Sequence, residues 1–130
     1  MTDDGGTWVI AGLMLLAAIG IVGFWFTWRR EQHDEPWLPK GYVEHEEVFV
    51  FPDAVLALVL VASAVLLLLG DALGRSLALV AAGMLTFLGV IDLAYFVRHG
   101  MFSRERGGLL NAGIVVGVLL LAAILFLRYA

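Results

Sequence analysis

The stretch TWVIAGLMLLAAIGIVGFWFTW, residues 7–28, runs for 22 positions without an ionisable side chain. At 1.5 Å per residue such a helix is about 33 Å long, enough to cross a hydrocarbon layer of about 30 Å. A helix that is apolar on every face has no side to offer water. It belongs in a large core or in a bilayer, and a chain of 130 residues is too short for a large core.

Three more runs repeat the pattern: AVLALVLVASAVLLLLG (54–70), SLALVAAGMLTFLGVIDLAYFV (76–97) and GLLNAGIVVGVLLLAAILFL (108–127). They predict spans over 7–28, 53–70, 76–97 and 108–128, with a long loop over 29–52. Pro52 is expected to block earlier helix, and Asp53 to cap the second span. Gly70 and Gly74 flank a tight turn, and Gly107 and Gly108 break the chain before the last span. The expected fold is all-α: an integral membrane four-helix bundle of antiparallel neighbours, a single domain over 1–130. Composition agrees, with 62% hydrophobic and 15% charged residues and a mean hydropathy of +0.94, where soluble domains are near half apolar and a quarter charged. The leader MTDDGG is acidic and the first run long, unlike a cleaved signal peptide.

Arginine and lysine placement predicts orientation. Arg29, Arg30 and Lys40 follow the first span, and Arg98, Arg104 and Arg106 follow the third. The opposite side carries Arg75 and Arg128. The two longer loops are therefore expected in the cytoplasm and both termini outside, in the cell (inner or plasma) membrane. Trp25, Trp28, Tyr95 and Phe96 fall at the same boundary, where amphipathic rings settle.

Small residues allow close helix approach in lipid. Gly113 and Gly117 form a GxxxG motif in the last span, and Ala78, Ala82 and Thr86 recur at spacing four in the third. Both are candidate contact stripes, within the bundle or between copies. GIVGFWFTWRR (20–30) and GVIDLAYFVRH (89–99) share a rhythm of glycine, branched, aromatic and basic residues. Any span ending at a cytoplasmic face tends towards the same pattern, so an internal repeat is the weaker explanation.

One carboxylate stands inside a run. Asp92, in GVIDLAYFVRHG (89–100), lies six residues before Arg98, about 9 Å inside the helix end. Leu85, Leu88, Gly89, Tyr95, Phe96 and His99 share its face at helical spacing. Asn111 starts the next span at similar depth, and an Asp92–Asn111 hydrogen bond is the simplest pairing. Asp92, Tyr95, His99 and Asn111 are thus candidates for a proton, cation or cationic-ligand site. The competing expectation is a polar clasp worth about 1 kcal/mol. In the long loop, His33, Glu35, His45 and Glu47 are a weaker metal-ligand set, because their spacing matches no HExxH or EF-hand pattern. A solvated acidic loop is the simpler expectation there, with Trp37, Tyr42, Phe49 and Phe51 roofing a cavity above Asp92.

The chain has no cysteine, which excludes thiolate metal sites, iron–sulfur clusters and covalent haem attachment. No GxSxG, P-loop or dinucleotide fingerprint occurs, no cofactor is implied, and no basic stripe suggests nucleic acid. An enzyme has no support. Three functions follow, in order. The first is an accessory or structural subunit, lying in the lipid bilayer as a homo-oligomer or part of a larger membrane complex. The second is a small oligomeric transporter or ligand-binding protein using Asp92. The third is a membrane metalloenzyme using the loop histidines and carboxylates.

Overall fold

A computed structural model describes residues 4–31 and 33–130; the first three residues of the acidic leader lie outside that range. The described residues form α1 (Asp4–Arg30), α2 (Tyr42–Glu47), α3 (Val50–Leu68), α4 (Ala72–Arg98) and α5 (Gly108–Tyr129), with a 3-10 turn at Arg104–Arg106. Among them, four segments are long and apolar enough to cross a membrane: Gly5–Arg30, Tyr42–Leu68, Ala72–Arg98 and Gly108–Tyr129. By length and composition these four helices suit a multi-pass membrane protein.

The helices are longer than the apolar runs suggest. α1 begins before Thr7 and ends on Arg29 and Arg30, whose positive charge suits a helix C-terminus. α3 begins before Pro52, at Val50. Pro52 falls in the first turn, where a missing N–H costs nothing. Asp53 consequently does not cap α3. Residues 42–47, expected as loop, are helical and run almost directly into α3.

α3 and α4 form a tight hairpin. Asp71 N–H donates to Leu66 O and Gly70 N–H to Leu67 O, the paired bonds of a Schellman end, with Gly70 at φ +75°. Asp71 then caps α4 by accepting from Leu73 N–H at 2.9 Å. Gly74 lets the two helices touch: a Cβ there would stand 2.6 Å from Leu67 N and 2.9 Å from Leu66 C. Ser63 Oγ–H, wholly buried, donates to Gly74 O at 2.7 Å across the hairpin.

α1 packs on α3, α3 on α4 and α4 on α5, while α1 and α5 meet only marginally. Each neighbour runs antiparallel to the last. One core takes side chains from all four long helices, among them Ala11, Met14, Leu60, Ala78, Leu85 and Leu125. Ala82 joins it and is buried. Small residues dominate because helices in lipid gain from close contact rather than from escaping water. Large apolar side chains such as Leu16, Phe26, Leu58, Phe87 and Leu127 point outwards, the arrangement a bilayer favours. Gly113 and Gly117 face outwards as well, with nothing within 4 Å of where a Cβ would sit. α5 instead buries Val115, Ala122, Leu125 and Tyr129.

The bundle has two unlike ends. The termini end carries the start of α1, the α3–α4 hairpin and the end of α5. The loop end carries the end of α1, α2, the end of α4 and the start of α5.

Candidate functional site

Charged and aromatic side chains gather at the loop end because the buried faces of three helices run past the apolar core there. On α1 the inward face passes from Ala11, Met14 and Ala18 to Trp25 and Trp28, all buried. On α3 it passes backwards from Leu60 and Leu56 to Asp53, and in α2 to Glu46. On α4 it passes from Leu85 to Asp92, Tyr95 and His99. Each series steps by three, four or seven residues, so each stays on one helix face.

Glu46 is the one buried charged side chain among the described residues, at 9% exposure. Its carboxylate lies within electrostatic reach of Asp92 and Asp53, and Asp92 is likewise within reach of Asp53. Three negative groups from α2, α3 and α4 thus share one region. Only Asp53 has a hydrogen bond: Trp25 Nε1–H donates to its Oδ2 at 2.7 Å, tying α1 to α3. Among the described residues, neither the Glu46 nor the Asp92 carboxylate has a hydrogen bond, and no arginine or lysine pairs with any of the three. Two cations of the loop end have other partners: Arg106 Nη1 donates to His99 O at 2.9 Å, and Arg30 sits over the Phe26 ring.

Aromatic rings surround the carboxylates. His45 stacks on Tyr95, with centroids 3.9 Å apart and planes 9° from parallel, and Tyr95 meets His99 at 4.4 Å. His45 also meets the edge of Phe49, and its Nε2 is buried without a hydrogen-bond partner. Trp28 Nε1–H donates to Tyr42 Oη at 3.3 Å. His33 lies on the Trp28 ring at 4.2 Å, and its Nε2 is 2.8 Å from Trp28 O, so that nitrogen carries the proton and donates. α2 thereby covers this end, with Tyr42 against α1 and His45 against α4.

Several sequence expectations meet this geometry differently. Asp92, Tyr95 and His99 do share the loop end. Asn111 does not bond Asp92: its Nδ2 donates to Met101 O at 2.6 Å, fastening the α4–α5 connection. Trp37 and Tyr42 pack into a small cluster with Phe96, Met101 and Val115, whereas Phe51 points outwards at 78% exposure and roofs nothing. His33, Glu35, His45 and Glu47 are not brought together. The two histidines sit on different rings, Glu35 and Glu47 are exposed, and no three His, Asp or Glu groups among the described residues are placed to hold a metal. Glu46 and Asp53 are the members that sequence reading assigned elsewhere. Their spacing held the clue: 46, 53 and 60 are seven apart, so continuing the buried face of α3 backwards leads through Asp53 to Glu46.

Comparison with known protein families, curated proteins and solved structures finds no match.

Proposed function

We propose that this chain is a small cell-membrane protein that binds a cation at the loop end, as a transporter or receptor, with that end in the cytoplasm. The supporting observation is the uncompensated charge of Glu46, Asp53 and Asp92. Withdrawing a carboxylate from water without a partner is unfavourable, and neighbouring like charges add to that cost. A bound positive charge removes both penalties. The arginine bias of the two loops supports the orientation, and the small, outward-facing apolar body supports assembly into an oligomer.

The test is thermal unfolding of the purified chain in detergent, with sodium, potassium, magnesium, calcium, organic ammonium compounds or acid added in turn. A ligand of the folded state stabilises it by about 2.7 kcal/mol at a hundred times its dissociation constant. One of these additions should raise the melting temperature of the wild type and leave that of Asp92→Asn unchanged. No stabilisation by any of them, acid included, defeats the reading.

A second reading is favoured by α5. Gly113 and Gly117 form a smooth outward face that the chain's own bundle leaves open, and such faces pair helices in lipid. It supports an accessory subunit docked on a larger membrane complex. Native mass after gentle extraction tests it: a stoichiometric larger partner supports it, and a particle of this chain alone opposes it.

A further inference from the structure

We infer that the positive charge at the loop end is a proton, held by the pair Glu46 and Asp92. The inference rests on the cation-binding reading and names its ligand. Glu46 carries it, because it is nine-tenths buried, its carboxylate has no hydrogen-bond partner among the described residues, and it lies within electrostatic reach of two other carboxylates.

The facing groups leave no other neutralising partner. α1 supplies Trp25, whose N–H is spent on Asp53. α2 supplies Tyr42 and α4 supplies Tyr95, and both phenols interact electrostatically with Glu46 without donating to it. α3 supplies Asp53 and α4 supplies Asp92, both of the same sign as Glu46. His45, next to Glu46 in α2, interacts with His99 and with the Tyr95 ring, and makes no hydrogen bond to a carboxylate. Charge balance must therefore come from solution.

A metal ion is poorly served here. It needs several ligands converging at bonding distance, and no three acidic or histidine groups among the described residues do so. A proton needs a single oxygen, and neighbouring negative charge strengthens the hold. Asp53 already has a donor on its charge, so the proton falls to the two members without one. The step is simple to balance. One O–H bond forms on a carboxylate oxygen using a proton taken from water at the loop end, and the same proton returns there on release.

The test is infrared spectroscopy of the full chain in lipid near neutral pH. A protonated carboxyl gives a carbonyl-stretch band that moves on exchange into D2O, as lipid ester bands do not. We expect this band in the wild type, its loss in the Glu46→Gln/Asp92→Asn double variant, and its retention in Glu44→Gln, an exposed neighbour. Should the double variant fail to fold, each single variant is expected to weaken the band. Sodium or magnesium should leave it unchanged. A wild type without such a band, or a band untouched by both substitutions, overturns the proton. If a metal ion or an ammonium compound stabilises the fold while no band is seen, the cation reading stands and the proton falls. If nothing stabilises the fold and no band is seen, both fall.

Discussion

The Trp25–Asp53 bond is the only hydrogen bond to a carboxylate of the cluster among the described residues, and its removal should be felt in stability. Trp25 is 8% exposed, and its Nε1 lies 2.7 Å from Asp53 Oδ2. Trp25→Phe keeps a ring against Phe24 and Trp28, whose centroids now lie 5.1 and 5.2 Å away, but removes the N–H and part of the ring volume. Hydrogen bonds to charged groups are worth about 1.5–3 kcal/mol in water-soluble proteins. Interhelical bonds in a bilayer average about 0.6 kcal/mol, with a maximum near 1.7. The bond is short and one partner is a carboxylate, which places it near the upper bilayer figure, so we expect a coupling of about 1.5 kcal/mol. The measurement is a double-mutant cycle of Trp25→Phe and Asp53→Ala by reversible unfolding in bicelles, because the cycle cancels the lost ring volume. A coupling below about 0.5 kcal/mol, within ordinary non-additivity, refutes the claim that this bond joins α1 to α3.

Two further outcomes test the frame that holds the cluster. Gly74→Ala places a methyl 2.6 Å from Leu67 N and 2.9 Å from Leu66 C; backbone cannot yield as a side chain tip can, so the α3–α4 hairpin must open, at a cost of about 2 kcal/mol or more in the same unfolding assay. Asn111→Ala frees Met101 O from its 2.6 Å bond and should cost about 1 kcal/mol. It should also speed amide exchange across residues 100–107 while leaving the infrared band unaltered, since Asn111 does not touch the carboxylates.

The four long apolar helices can be read from the chain because apolar runs of about 20 residues, broken by glycine, proline and charge, mark their extent. Facing was harder to read, for a reason α4 and α5 make plain. Ala78 and Ala82 sit inward, whereas Gly113 and Gly117 sit outward, although each pair is spaced four apart. On a helix whose every face is apolar, small residues show where a helix is able to approach, without saying which helix does. The inward face of α5 has its own series, 115, 122, 125 and 129, and Gly113 and Gly117 fall off it. Glu46 is hard to read from the chain because its neighbours Glu44 and Glu47 are exposed, and the segment EHEE reads as solvated loop unless α2 continues the face of α3 backwards. Depth along the helix does not by itself place Asn111. Its position in the first turn of α5 lets it reach back to the connecting chain, a shorter path than across to Asp92.

The contrast between the two ends bears most directly on function. At the termini end, polar groups are mostly spent on backbone partners: Asp71 on Leu73 N–H, Ser63 on Gly74 O, and Arg75 Nε on Tyr129 O at 2.6 Å. The exception is Tyr129 Oη, buried without a hydrogen bond, a neutral group with a modest penalty. At the loop end the groups without a hydrogen bond include His45 Nε2 and the carboxylates of Glu46 and Asp92, which inward helix faces deliver to one region. If Glu46 and Asp92 take up protons on folding near neutral pH, the folded state binds more protons there than the unfolded chain, and the cluster's contribution to stability falls as pH rises. A chain whose loop-end carboxylates served only as a clasp would lose stability in the other direction, on acidification. Wild-type unfolding measured across that range against the Glu46→Gln/Asp92→Asn double variant therefore separates the two by the sign of the difference.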